Sequence, residues 1–151
     1  MNIPRIRLGV LALMVAAAPA FAQAPPGSAG RIKVASGSAF IVRAGSVVRA
    51  EAGQVVFEAD TLRTGADGRL GITLKDDTRI SLGPGSEVRL DRFVYAPAEG
   101  QLGLVLKVVR GVMGYVSGRI AKLSPDSIRL EAPAAVVGVR GTRLALYVVP
   151  K

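Results

Sequence analysis

Arg69-Leu70-Gly71-Ile72-Thr73-Leu74, the loop Lys75-Asp76-Asp77, and Thr78-Arg79-Ile80-Ser81-Leu82 make up the stretch on which the fold turns. Leu70, Ile72 and Leu74 recur at period two, as do Ile80 and Leu82, the alternation of strands with one buried face. Both apolar sets must face the same side of a sheet, and that demands an odd number of loop residues. A loop of residues 75–77 sets Ile72 opposite Ile80 and Leu70 opposite Leu82. It also holds its last residue, Asp77, in the left-handed region, where glycine is preferred and Asp is tolerated.

The same grammar repeats outward from this hairpin. From Arg31 onward, short period-two segments are separated by glycine-rich turns at intervals of roughly 8–12 residues. Residues 32–35, 40–44 and 47–48 read as short strands that lead into 53–65. Residues 87–95 form a strand whose alternation slips between Leu90 and Phe93, as a β-bulge produces. The segments 102–109 and 111–116 are the most apolar and are expected at the sheet centre. Residues 117–122 suit a single helical turn, and 128–132 and 143–148 are further strands. These segments predict an all-β fold over residues 31–149, a single sandwich- or roll-like domain of short antiparallel strands with at most one short helical turn.

The N-terminus is built differently. Arg5 and Arg7 precede an apolar run from Leu8 to Ala18, followed by Pro19-Ala20-Phe21-Ala22-Gln23. This is the charged region, hydrophobic region and small-x-small site of a secretory signal peptide, with cleavage expected after Ala22. The run is shorter than the about 20 residues a membrane-spanning helix needs. Residues 1–22 are therefore expected to direct export to the periplasm or the medium, and residues 23–30 to form a disordered linker. With neither a cytoplasmic segment nor a spanning helix in this reading, the chain would need a separate partner to pass a signal across a membrane.

Composition removes several chemistries. The 151 residues contain no His and no Cys, so the commonest general base at neutral pH, the commonest zinc ligand, thiol nucleophiles and disulfides are all absent. Neither a Ser-x-x-Lys nor a Gly-x-Ser-x-Gly pattern occurs. Carboxylate-only chemistry remains open, and Glu58 with Asp60 or Asp76 with Asp77 would be its pairs. Acids in such short strand-turn segments are more often solvated or capping. No enzyme activity, cofactor or metal is expected.

The formal charge is +9, and +7 without Arg5 and Arg7. In an exported protein this balance points to anionic envelope polymers or acidic protein surfaces rather than nucleic acid. Gly138-Val139-Arg140-Gly141 matches the backbone-clamping loop of KH modules, but that loop joins two helices and here valine-rich strand sequence flanks it. Arg69, Arg79, Arg89 and Arg129 occupy outward strand positions. They are read as a solvated face, or alternatively as a basic stripe that binds anionic polysaccharide.

Three blocks in fixed order carry a family resemblance: residues 60–69 (Asp-Thr-Leu-Arg-Thr-Gly-Ala-Asp-Gly-Arg), residues 74–86, and residues 132–142 (Ala-Pro-Ala-Ala-Val-Val-Gly-Val-Arg-Gly-Thr). Together they resemble the FecR domain family, and residues 116–122 are similar to its exported members. The resemblance covers about Ile32 to Val148 and implies a periplasmic interaction or signalling module, with an envelope protein as partner. Asp77 stands where the family usually has glycine. Asp60, Thr64, Gly65, Gly83, Pro133, Gly138, Arg140, Gly141 and Thr142 are the motif residues and are read as structural. For Arg140 the favoured reading is a buried bidentate pair with Asp60, while Thr142 bonds a neighbouring loop. The other reading has Arg140 face a groove and bind an anionic group or a partner's acid.

Overall fold

The computed structural model describes residues 27–149. The signal-peptide region, its cleavage site and the first half of the linker region lie outside the described residues. Twelve strands follow in order: β1 (Ser28–Ser36), β2 (Ala39–Arg43), β3 (Ser46–Arg49), β4 (Val55–Phe57), β5 (Thr61–Thr64), β6 (Arg69–Leu74), β7 (Arg79–Leu82), β8 (Glu87–Ala96), β9 (Gln101–Val116), β10 (Ile128–Ala132), β11 (Ala135–Gly138) and β12 (Arg143–Val148). One helix, α1 (Arg119–Leu123), and 3-10 turns at Pro97–Glu99 and Pro125–Ser127 complete the described chain.

The β6–β7 hairpin pairs Leu70 with Leu82 and Ile72 with Ile80. Asp77 has φ +69°, and its N–H donates to the Leu74 carbonyl at 3.0 Å. Residues 75–77 thus form the three-residue loop that the alternation requires. The slip in β8 is a bulge between Leu90 and Arg92. Strand β1 starts at Ser28, inside the stretch expected to be linker. Ala29 and Gly30 are buried there, and the Ala29 carbonyl accepts from the Lys75 N–H at 2.8 Å, so backbone pairing orders what composition alone marks as flexible.

The sixteen-residue β9 joins two sheets. Its first part lies between β8 and β10 in a sheet ordered β3-β2-β5-β8-β9-β10-β11. Its last part lies between β7 and β12 in a sheet ordered β4-β1-β6-β7-β9-β12. Val108 points inward, Val109 and Arg110 both point out, and Gly111 is buried with φ +87°, so a bulge turns the strand from one sheet into the other. The fold is all-β and mostly antiparallel. Strand β10 departs from the expectation by running parallel to β9, which α1 and the following turn make possible by reversing the chain between them. Leu70, Ile72, Ile80, Leu82, Met113 and Tyr115 from one sheet face Ile41, Leu62, Val88, Leu90, Leu104, Leu106 and Leu130 from the other, and Ile120 of α1 joins this core.

Candidate functional site

The motif residues fall into three groups. In the first, Asp60 follows a tight turn in which Ala59 takes φ +71°. Its buried carboxylate accepts from Arg43 Nε at 2.8 Å (Oδ1), from Arg43 Nη2 at 2.7 Å (Oδ2), and from the Phe57 N–H at 2.8 Å (Oδ2). The guanidinium stacks 4.5 Å from the Phe57 ring centroid and also donates to the Val55 carbonyl at 3.1 Å. These hydrogen bonds to Asp60 raise the Arg43 pKa above its ordinary value. The partner of Asp60 is therefore Arg43, and the expected Arg140–Asp60 pair does not form. Arg43 ends β2, which runs beside β5 with Val42 opposite Thr61, and that register brings Arg43 to the turn.

In the second group, Thr64 Oγ1 donates to the Gly83 carbonyl at 2.6 Å and accepts from the Ser86 N–H at 2.9 Å, while the Gly65 carbonyl accepts from the Gly85 N–H at 2.9 Å. Ser86 Oγ in turn accepts from the Val112 N–H at 2.9 Å. Thr64 and Gly65 thereby fasten the turn at residues 83–86 to the end of β5, while Ser86 and the Gly83 N–H, which donates to the Val112 carbonyl at 3.1 Å, fasten it to the bend of β9.

The third group stands open. Pro133 is exposed in the β10–β11 turn, and Gly138 and Gly141 have open space where a Cβ would project. Arg140 is exposed and lines a shallow cavity of about 420 Å³ with Asp126, Arg129, Val136, Gly138 and Val139. Among the described residues it has no salt-bridge partner. The block is held instead by Val139, which is buried, and by main-chain contacts: the Thr142 carbonyl accepts from the Ser117 N–H at 2.9 Å, and the Gly141 carbonyl accepts from the Ser117 hydroxyl. Val136, on the edge strand β11, is 68% exposed.

The four arginines expected on one face divide between the sheets. Arg69 and Arg79 lie on the outer face of the β6–β7 sheet, whereas Arg89 and Arg129 lie on β8 and β10 of the other. Arg89 is moreover paired with Asp91 at 2.7 Å. Period two shows which residues point outward but not which sheet a strand joins.

The four acids considered for hydrolysis hold turns or loops together. Glu58 accepts from the Phe93 N–H at 3.0 Å. Asp76, fully buried, accepts from the Thr78 hydroxyl at 2.7 Å, the Thr78 N–H at 3.1 Å and the Ile120 N–H at 3.3 Å, so that the β6–β7 loop caps α1. Asp77 pairs with Arg119 at 3.2 Å. Among the described residues no three of His, Cys, Asp and Glu converge as a metal site.

Sequence reasoning missed Arg43, Ser86, Gly111, Val139 and the buried role of Asp76. Only Gly111, a glycine at the junction of the two most apolar strand segments, left a signal that could have been read as a bend.

No curated protein and no solved structure matches the chain. The family model described as "FecR protein" matches residues 60–150, from the Asp60 turn through all three groups of motif residues. The chain belongs to the FecR family.

Proposed function

We propose that this protein is a non-enzymatic signalling module that works outside the cytoplasm by binding an envelope protein through its C-terminal block. Family membership supports the signalling relation, and the leader pattern around Arg5, Arg7 and Ala22 supports the location. The observation that carries the reading is the exposure of Arg140 in a cavity beside exposed Val136, on a strand with one free edge. An arginine next to apolar surface is characteristic of binding patches, where the guanidinium pairs with a partner's carboxylate as the apolar atoms leave water. A free strand edge adds unpaired backbone groups that a partner can use.

The test is a photo-cross-linking residue at position 136 in producing cells, with and without Arg140→Ala, and a control at Val48 on the edge strand β3. A discrete product from position 136, weakened by Arg140→Ala and absent from position 48, is expected. No product, or one indifferent to Arg140, would overturn the reading.

A further inference from the structure

We infer that the outer face of the β4-β1-β6-β7-β9-β12 sheet binds an extended anionic glycan, one that carries at least one carboxylate on each disaccharide. This goes beyond the protein-contact reading, since the face, the partner class and the residues are all different.

The strands of this sheet, with β9 counted from Gly111, contain Arg31, Lys33, Arg69, Arg79 and Arg143 and not a single Asp or Glu. The other sheet is mixed: Glu87 meets both Arg63 and Arg110, and Asp91 meets Arg89. The strands of the two sheets carry equal net charge, so what sets this face apart is that its arginines stand free of acids. Along that face the ladder register sets Arg31 opposite Thr73, Thr73 opposite Arg79, Arg79 opposite Val116 and Val116 opposite Arg143. The three arginines thus stand in one row, each two strands from the next. Two strand spacings are about 10 Å, the length of one disaccharide in an extended chain.

The surface beside the row is shaped to receive a chain. Next to it run Gly71, Ser81, Gly114 and Ala145, also in register, so sugar rings can approach the backbone closely. A cavity of about 260 Å³ lined by Ser28, Arg31, Lys33 and Lys75 and another of about 520 Å³ lined by Arg79, Arg119 and Lys122 share Thr73 and Asp77. Asp77, the one acid there, is occupied by Arg119. Ser28, only 4% exposed, lines the first cavity, and its buried hydroxyl has no hydrogen-bond partner among the described residues.

Other polyanions fit less well. Single-stranded nucleic acid is held by stacking successive bases on aromatic rings, and the arginine row has none, the exposed Tyr147 lying four residues along β12 from Arg143. An acidic peptide that adds as a strand uses an edge, not a face.

Binding of oligogalacturonate to the full chain tests the inference, with neutral dextran, polyglutamate and a single-stranded oligonucleotide as comparators. Wild type is expected to bind oligogalacturonate best, with affinity falling as salt rises. Arg31→Gln/Arg79→Gln/Arg143→Gln is expected to weaken binding about tenfold, since each exposed contact contributes a modest share. Arg89→Gln/Arg129→Gln on the other sheet, and Arg140→Ala, are expected to bind as wild type does. Arg31 also donates to the Gly53 carbonyl at 3.0 Å, so the single variant Arg79→Glu, expected to weaken binding with an unchanged melt, separates binding from folding. Failure of wild type to bind, equal loss in the two multiple variants, or tighter binding of oligonucleotide or polyglutamate would overturn the inference. None of these outcomes bears on the cross-link from position 136.

Discussion

Asp60 and Arg43 are joined by two parallel hydrogen bonds of 2.8 and 2.7 Å, with the carboxylate 1% exposed and the arginine 44% exposed. The two ends of the pair are not equivalent. Removing Arg43 leaves a carboxylate that still accepts the Phe57 N–H and can admit water. Removing Asp60 strands that N–H and unfastens the turn. Asp60→Ala is expected to cost about 2–3 kcal/mol and Arg43→Ala about 1 kcal/mol or less, measured by denaturant unfolding. Equal costs would show that the ion pair, not the turn, is what Asp60 supplies.

Asp77→Gly is expected to stabilise the protein by about 0.5–1 kcal/mol, because φ +69° strains a non-glycine residue. The substitution also removes the Asp77–Arg119 contact, but with side chains 64% and 63% exposed that pair contributes little. A lower Tm would mean that the loop relies on the Asp77 side chain.

A methyl group on Gly111 would collide with Ser86 Oγ, lie 2.5 Å from Ser86 Cα and 2.7 Å from the Gly85 carbonyl oxygen, and sit on a backbone at φ +87°. Gly111→Ala is expected to destabilise by about 3 kcal/mol or more, since backbone must move at the point where β9 changes sheets. Gly138→Ala, which meets nothing within 4 Å, is expected to melt as the parent does. Comparable losses in both would refute the bend at Gly111.

Tyr115 is 1% exposed, and its hydroxyl has no partner in hydrogen-bonding geometry. Burial disfavours the phenolate, with a further push from the Asp76 charge, and raises the pKa from 10.0 to about 12. The folded state thus holds this proton more tightly than the unfolded chain. The resulting stability is fully present below about pH 10 and is lost as the pH rises to about 12, a loss of up to about 2 kcal/mol. Urea unfolding of wild type and Tyr115→Phe across this range checks it: the wild-type stability should fall relative to the variant. Parallel curves would show that Tyr115 ionises as easily folded as unfolded.

Local features were legible in the sequence, and long-range partners were not. Alternation at Leu70, Ile72, Ile80 and Leu82 fixed the hairpin register, and the slip after Leu90 located a bulge, because both follow from the two-residue period of a strand. The same period is blind to neighbours. Ile128 and Leu130 alternate alike whether β10 runs parallel or antiparallel to β9, and Arg79 and Arg89 both point outward although they lie on different sheets. Asp76 and Asp77 are adjacent acids of one turn, yet the fold buries the first under α1 and leaves the second in water, and only the arrival of Ile120 from 44 residues away decides which is which. Arg43 carried no mark of its own because its partnership with Asp60 depends on the β2–β5 register. In the C-terminal block, the arginine flanked by glycines drew the expectation of a buried pair, while Val139 beside it is the side chain that enters the core.

The melting curve of Arg140→Ala tests most directly the claim that the C-terminal block presents Arg140 to a partner rather than fastening the fold. An exposed arginine without a salt-bridge partner among the described residues should be removable at no cost, giving a Tm equal to that of the parent. A buried pair that loses one member costs about 3–5 kcal/mol, and a fall in Tm on that scale would contradict the claim and restore Arg140 to the interior.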